Sequence, residues 1–386
     1  MLFIVGTDLF VVPPLLPLIA ETYTVTPTMA GRMVMVFSLM YAVGAPVFGL
    51  LADRWGRREL IMIGLGAFAG ANLLSSTAPG FGWLLVSREV AGLATAAITP
   101  SVYAMISDVA PAVRRGTWLS IVGSGFLTGL WAGAPLGTLA AHIAGWTSVF
   151  VSLAGAAGLL VLANGQLWPP ALPASRDASW PRLTPFNLLA AASTTICWGA
   201  AIYGFYTYLG TALREQLHLS PEAIAGVLTV YGSGAVLGSV SGGRLADRWG
   251  AQQVAKVSLT WLAGILILLG LLLANKLWFF VCLGVLAFVG YAFSPANQAR
   301  LAQDFPTQRG TFLAWNNSAL YVGIALGAAL GGWVITEWGF GRLPYLCAVI
   351  ALLGSRLSAR SLRCMPSDIN TSPAAPGSPK PNGKTN

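Results

Sequence analysis

Charge is scarce in this sequence. Only 9% of its 386 residues are Asp, Glu, Lys or Arg, whereas 55% are hydrophobic. Soluble domains carry about 25% charged residues, so this composition excludes an ordinary soluble fold. Apolar stretches of about 20 residues, long enough to cross a bilayer, recur along the chain, and the roughly ten-residue alternating segments of a transmembrane barrel are not seen. The sequence therefore predicts an all-α polytopic membrane protein.

Residues that serve metal and covalent chemistry are also few. The four cysteines are Cys197, Cys282, Cys347 and Cys364, and their wide spacing indicates neither a disulfide framework nor a zinc site. Two histidines are present, and no phosphate-binding loop or nucleophile constellation is found. We therefore expect no enzymatic activity, no catalytic residue, no metal and no cofactor.

The apolar pattern predicts twelve transmembrane helices. They are expected near residues 1–20, 28–52, 59–77, 82–108, 116–141, 148–166, 185–211, 222–245, 251–275, 277–302, 311–334 and 343–362. Most of the 22 Lys and Arg residues lie in the even-to-odd connections and the tail. The positive-inside rule makes that side cytoplasmic, so both termini are expected there and the protein in the cell (inner) membrane. The net charge of +9 is then an orientation signal, and no nucleic-acid partner is expected.

The two halves of the chain repeat one another. When the sequence is shifted so that Pro27 meets Pro221, Asp53 meets Asp247, and "GAPLGT" at 133–138 meets "GAALGG" at 327–332 without a gap. Six helices per half is an even number, so the two repeats cross the membrane in the same direction, as parallel repeats.

The repeat sets the expected domain organisation. We predict a six-helix half at 1–166, a central cytoplasmic loop at 167–184, a second half at 185–362 and a disordered tail at 363–386. The first helix begins inside an apolar run, and the repeat predicts that the start of this helix is truncated.

One charged phrase occurs in both halves, as "GLLADRWGRR" at 49–58 and "GRLADRWG" at 243–250. It resembles the signature loop of the major facilitator superfamily, although the second copy has Gln252 and Gln253 near the expected basic positions. The resemblance implies a gate at the cytoplasmic side in which Asp53 pairs with basic residues across the two halves. A tight turn with positive-inside charge explains the same residues without a gate. The candidate gating residues are Gly49, Asp53, Arg54, Gly56, Arg57, Arg58, Asp247, Arg248 and Gly250.

Few charges fall inside the predicted spans, and such charges usually face a partner or a water-filled cavity. Asp8 lies near the middle of the first span, and Arg88 and Glu89 lie in the fourth. Burial favours the neutral form of a carboxyl and a guanidinium favours its charged form, so Asp8 is our candidate proton carrier. The alternative is a permanently ionised partner of Arg88. Glu89 is either a second acid or a residue near the outer surface.

Arg88 begins a polar face on the fourth span. Helical spacing places Gly92, Thr95, Thr99 and Tyr103 on the same side, which predicts a face toward water or substrate; packing through small residues is the alternative. The pair Arg88 and Gly92 resembles the fourth-helix signature of the superfamily's antiporters, which implies that the arginine assists proton transfer.

The fifth span contains "GLWAGAPLGT" at 129–138. Gly129, Gly133 and Gly137 share one face and permit close helix approach, and Pro135 predicts a kink. The second half has Ala329 in place of the proline. This asymmetry resembles the antiporter signature of the superfamily, with Ala134 and Thr138 deviating from its commoner form.

Aromatic and amide side chains gather in the second half. We predict a substrate cavity that also includes Arg32, Thr95, Thr99 and Tyr103 from the first half; its members in the second half are Trp198, Tyr203, Asn316, Asn317 and Tyr321. An aromatic belt at the outer interface is the alternative account of Tyr206 and Tyr208.

The sequence thus predicts a monomeric secondary transporter in the lipid bilayer whose partners are protons and a small organic solute. It resembles the twelve-helix drug and proton antiporters, and within them the sugar and purine exporter-like members with a G-x-P-L-G-T fifth helix. This resemblance implies proton-coupled efflux by alternating access. An uptake symporter or facilitator for a small polar solute is the alternative, and a channel or sensor is a more remote one.

Overall fold

The computed structural model describes residues 1–111, 114–167, 185–272, 276–304 and 309–360. These residues form helices joined by short turns, with no strand among them. The helices of the first half are α1 (Leu2–Tyr23), α2 (Pro27–Ala30), α3 (Arg32–Trp55), α4 (Arg57–Ser76), α5 (Phe81–Val109), α6 (Arg115–Thr128), α7 (Ala134–Ala144) and α8 (Thr147–Leu167). Those of the second half are α9 (Pro185–Glu215), α10 (Pro221–Trp249), α11 (Ala251–Leu271), α12 (Lys276–Asp304), α13 (Arg309–Trp338) and α14 (Leu343–Arg360).

The predicted membrane-spanning helices are present. Within the described residues, eleven segments are long and apolar enough to cross a bilayer, and the 31-residue α9 stands at the position of the predicted seventh span. The prediction of a polytopic all-α fold is confirmed. The division into two halves and a tail stays a prediction, because residues 168–184 and 361–386 lie outside the described chain.

Two predicted spans differ in detail from the observed helices. The second is preceded by the short α2, which begins where the Thr26 hydroxyl accepts a hydrogen bond from the Met29 amide. The fifth is interrupted by a π-helical turn at Gly129–Gly133. Pro135 follows this turn and lacks the amide hydrogen of a regular helix, so the predicted kink takes the form of a π turn between α6 and α7.

The repeated charged phrase ends in the same backbone turn in both halves. Gly56 lies between α3 and α4 with φ of 104°, and Gly250 lies between α10 and α11 with φ of 91°. Residues other than glycine rarely adopt such positive φ values, so each turn requires its glycine. We call the end of the bundle that carries these two turns the motif end.

Helix α1 forms the centre of the bundle, and 17 of its 22 residues are buried. It packs against α6, the π turn and α7 of its own half and against α9 of the second half. Across the same interface α3 packs on α13, and α7 and the π turn pack on α10. The central position of α1 explains how Asp8 is removed from both water and lipid.

Polar contacts join the two halves at the end opposite the motif end. The Arg214 guanidinium lies 2.8 Å from the Glu21 carboxylate. His142 and Glu222 are 3.7 Å apart, and the Thr336 hydroxyl lies 3.2 Å from that of Thr28. We call this the sealed end, because helices from both halves meet there.

Candidate functional site

Asp8 and Arg88 form a buried ion pair between α1 and α5. One terminal nitrogen of Arg88 donates to Asp8 Oδ1 at 3.0 Å, and the other donates to Oδ2. The Asp8 side chain is 0% exposed and that of Arg88 is 1% exposed. Two parallel charge-assisted hydrogen bonds make this the strongest geometry available to the pair, and it offsets part of the cost of burying two charges.

Two aromatic rings complete the surroundings of the guanidinium. The Arg88 Cζ lies 5.0 Å from the ring centre of Phe37 on α3 and 5.4 Å from that of Phe150 on α8. Both distances fall within the range of cation–π attraction. These rings stabilise Arg88 as a cation even without its carboxylate partner.

Gly92 allows α3 to approach α5 beside this pair. A methyl group at Gly92 would overlap the carbonyl oxygen of Phe37, so a larger residue would push α3 away. Gly92 lies one turn from Arg88, and the close approach brings the Phe37 ring over the guanidinium. The spacing of Arg88 and Gly92 therefore has a direct packing explanation.

The glycine face of the fifth span holds α1 in place. A methyl group would overlap the Thr7 backbone at Gly129, the Thr7 side chain at Gly133 and the Val11 side chain at Gly137. Pro135 is buried next to this face. Because Thr7 adjoins Asp8 in the chain, this packing sets the position of the carboxylate toward Arg88.

We expect Gly133→Ala to displace α1, to lower the melting temperature of the purified protein and to reduce transport. Overpacking of a tight interface typically costs about 1–3 kcal/mol. Gly158→Ala on α8 is the matched control, because a methyl group there meets no atom within 4 Å. Equal melting temperatures for the two variants would contradict the role assigned to the glycine face.

An aromatic cluster lies beside α1 in the second half. Phe10 stacks on Tyr203 with 6.1 Å between ring centres, and the Tyr206 hydroxyl donates to the Phe10 carbonyl at 2.9 Å. Trp198 and Tyr291 pack edge-on at 6.0 Å. Tyr206 is therefore a buried contact between the halves, not part of an outer aromatic belt, and Tyr208 is likewise buried, donating to the Ala328 carbonyl at 2.7 Å.

Amide side chains form a second cluster toward the motif end. Asn297 donates to the Thr195 hydroxyl at 2.8 Å and to Asn316 Oδ1 at 3.2 Å. The Asn317 amide donates to the Tyr41 hydroxyl across the halves at 2.6 Å. Hydrogen bonds of this kind orient each amide, so the cluster presents fixed donors and acceptors rather than mobile ones.

Tyr41 and Tyr321 stack between α3 and α13, with ring centres 3.5 Å apart. Thr95 and Thr99 on α5 are buried, and Tyr103 on the same helix is half-buried. The structure thus places the predicted face of α5 and the predicted aromatic and amide residues of the second half in the interior of the bundle.

Two predicted residues stand apart from these clusters. Arg32 is exposed at the start of α3, near the sealed end, and so does not line the buried interior. Glu89 is half-buried on α5 and forms no hydrogen bond or ion pair with described residues. Neither side chain forms a hydrogen bond or ion pair with Asp8 or Arg88.

Arg57 and Arg58 of the first repeated loop bind groups of their own half. Arg57 pairs with Asp108 at the end of α5 and donates to the Ala104 carbonyl at 2.9 Å. Arg58 donates to the Gly165 carbonyl of α8 at 2.7 Å. These contacts fasten α4 to α5 and α8.

Among the loop residues whose side chains are described, Arg54, Asp247 and Arg248 form no hydrogen bond or ion pair with another described residue. Arg54, Asp247 and Arg248 are exposed, and a methyl group at Gly49 would meet no atom within 4 Å. The side chain of Asp53 lies outside the described residues, so its pairing across the halves stays a prediction. Asp108 was not predicted from the sequence; its position at the end of the fourth span, opposite a basic loop, was the available signal.

The described cysteines form neither a disulfide nor part of a metal site. Cys197, Cys282 and Cys347 are buried free thiols, and Cys364 lies outside the described chain. No group of three or more His, Cys, Asp or Glu within the described residues could hold a metal ion.

Comparisons of the sequence with a family model and with curated proteins identify the same superfamily. The family model described as Major Facilitator Superfamily matches residues 1–211 and 188–384. An uncharacterized MFS-type transporter, YbcL, of Bacillus subtilis (strain 168) is 29% identical over 365 residues, which cover 92% of this chain and 93% of that protein. A chloramphenicol resistance protein of Streptomyces lividans is 31% identical over 345 residues, covering 83% of this chain and 84% of that protein.

The fold has close counterparts among solved structures. The crystal structure of a bacterial homolog to the human lysosomal transporter Spinster, in an inward-facing and occupied conformation, superimposes with a TM-score of 0.76. It shares 16% sequence identity, and the match covers 94% of this chain and 95% of that one. At this identity the likeness concerns the fold alone.

Proposed function

Because the chain belongs to the Major Facilitator Superfamily and is a multi-pass membrane transporter, we propose that it exports a small organic solute in exchange for protons. The two halves rock around a central site, which opens alternately to the two sides of the membrane. The bacterial inner membrane with both termini in the cytoplasm is the location and orientation that the distribution of basic residues supports.

The buried ion pair of Asp8 and Arg88 is the observation that carries proton coupling. A carboxylate removed from water can accept a proton only if its bond to the guanidinium loosens. The two hydrogen bonds between Asp8 on α1 and Arg88 on α5 would then break. Helix α1 packs against helices of both halves, so its release affects the interface between them. Protonation is thereby linked to movement at the centre of the interface, as exchange requires.

Two observations support export over uptake. The relative from Streptomyces lividans is named a chloramphenicol resistance protein. Pro135 occurs in the first half alone, because the second half has Ala329 at the related position, and it lies beside the glycines that hold the helix that carries Asp8. In this proposal Arg88 and Asp8 form the coupling site, while the fifth span maintains its geometry.

The second half supplies the binding groups for the solute in this proposal. Tyr203, Trp198 and Tyr321 offer aromatic faces, and Asn316 and Asn317 offer oriented amides. Asp8 lies on the helix whose Phe10 ring stacks on Tyr203, and the Asp8–Arg88 pair as a whole has no net charge. The central site therefore suits an uncharged or weakly charged solute with an aromatic or polar face.

Uptake or facilitated diffusion of a small polar solute is the second candidate. It is favoured by the Thr195, Asn297 and Asn316 cluster, which resembles the hydrogen-bonding lining that a hydroxylated solute needs. In that case the Asp8–Arg88 pair serves structure and not coupling.

The test is proton efflux from acid-loaded proteoliposomes that contain a trapped pH dye. Phenicols, sugars, nucleobases, organic anions and lipophilic cations are added outside in turn, with protein-free liposomes as the control. Loss of the pH gradient with one solute class supports exchange and identifies that class. Entry of labelled solute without proton movement would replace export with facilitated diffusion.

A further inference from the structure

A groove on the membrane-facing side of the second half is unrelated to the central site. It lies between α13 and α14 at the sealed end and has a volume of about 480 Å³. Its wall includes Trp333, Trp338, Arg342, Tyr345, Leu346 and Val349. The groove therefore combines one cation, three large aromatic rings and aliphatic side chains.

The polar and apolar groups of this groove lie in an ordered arrangement. Arg342 belongs to a 3-10 turn that directly precedes α14, where the chain re-enters the membrane. Trp333 and Trp338 pack edge-on, with 4.9 Å between ring centres, and both remain more than half exposed. Val349 follows Arg342 by about two turns of α14, toward the hydrocarbon.

The cation of the groove is available for a ligand. The Arg342 side chain is exposed and forms no hydrogen bond or ion pair with the described residues. None of the residues that line the groove is acidic. An anionic group at this place would therefore meet a guanidinium with free donors, at the depth where tryptophan side chains favour the membrane interface.

The repeat shows that the fold does not require these residues. Shifted onto the first half, Trp333, Trp338, Arg342 and Tyr345 fall on Leu139, Ala144, Ser148 and Val151. The related face of α7 and α8 thus has no aromatic ring and no charge at these positions. The cation and the rings are a particular property of the second half.

We infer that this groove binds an anionic phospholipid. The lipid phosphate contacts Arg342, the indole rings of Trp333 and Trp338 pack beside the head group, and an acyl chain follows Leu346 and Val349. The charge is matched by the single guanidinium, and the apolar wall below it continues along α14. A bound lipid of this kind would connect α13, which contacts the first half, to the peripheral helix α14.

The test measures which lipid lies next to the groove in nanodiscs. Leu353→Cys, one turn beyond Val349 on exposed α14 surface, carries a fluorophore, and Cys364→Ser removes a competing thiol. Quenching by phosphatidylglycerol with dibrominated acyl chains is compared with quenching by phosphatidylcholine with the same chains. Leu159→Cys, the exposed repeat-related position on α8, is the matched control.

We expect phosphatidylglycerol to be enriched at Leu353→Cys by about fivefold, the factor expected for one basic residue at an anionic head group, and not at Leu159→Cys. Arg342→Gln should abolish the enrichment. Arg356→Gln, which alters an exposed arginine at the other end of the same helix, should preserve it.

Three results would overturn the inference. Equal quenching by both lipids at Leu353→Cys would leave only a general aromatic belt. Equal enrichment at Leu159→Cys, or enrichment that persists in Arg342→Gln, would show diffuse attraction to the basic protein. The measurement requires no transport activity, so its outcome is independent of the proposed export.

Discussion

Asp8→Asn is expected to abolish solute-driven proton flux in proteoliposomes while leaving the helical fold in place. Asparagine keeps an oxygen that can accept one hydrogen bond from Arg88, but it cannot bind or release the coupling proton. The measurement is the trapped-dye assay with the solute that collapses the gradient in the unmodified protein. Solute binding, measured separately, should persist because the aromatic and amide clusters are unchanged.

The same variant is expected to unfold at a lower temperature. Removal of one partner from a buried ion pair typically costs about 3–5 kcal/mol, because the other charge remains buried. The rings of Phe37 and Phe150 reduce this cost by their contact with the Arg88 guanidinium. Loss of flux in Asp8→Asn alone could therefore reflect damage to the structure.

The double variant Asp8→Asn with Arg88→Gln separates the two effects. Neither charge remains, so the melting temperature should recover toward that of the unmodified protein, whereas proton coupling should stay absent. If the double variant regains both stability and proton-coupled flux, Asp8 is a structural partner of Arg88 and the proton path lies elsewhere. Full coupling in Asp8→Asn would exclude the proposed role directly.

The fold followed closely from local sequence properties. Long apolar runs specify spans, and the turns at Gly56 and Gly250 could be predicted because positive φ favours glycine. The π turn at Gly129–Gly133 could not be predicted, although Pro135 predicted a distortion. The missing amide hydrogen of Pro135 shows that the helix must depart from regular α-helical geometry. The form of the distortion depends on how this segment packs against α1, which the local sequence does not specify.

The candidate site was predicted most directly where a residue was chemically out of place. Asp8 and Arg88 were conspicuous as charges in apolar spans, and the structure brings them together. Phe37 and Phe150 were not predicted to contact Arg88, because aromatic residues are ordinary in a membrane helix. Arg32 is exposed at the start of α3, so its place in a substrate cavity stays a prediction.

A disulfide across the sealed end is expected to stop transport completely. The hydroxyl oxygens of Thr28 and Thr336 lie 3.2 Å apart, on α2 of the first half and α13 of the second. Sulfur atoms introduced by Thr28→Cys and Thr336→Cys are close enough to bond with little backbone movement. The bond would hold the halves in the described arrangement, and alternating access requires them to separate there.

Transport should cease on oxidation of this double variant and return after reduction. The matched control is Ser75→Cys with Ser87→Cys, whose hydroxyl oxygens lie 2.8 Å apart between α4 and α5 of the same half. Because that bond does not cross the interface, oxidised control protein should retain its flux. Continued flux through the oxidised Thr28→Cys/Thr336→Cys protein would mean that the sealed end never opens, which is incompatible with rocking halves and compatible with a pore. Inhibition of both oxidised double variants would instead show that movement within one half is also needed for turnover. The two pairs together therefore distinguish movement between the halves from movement within one half.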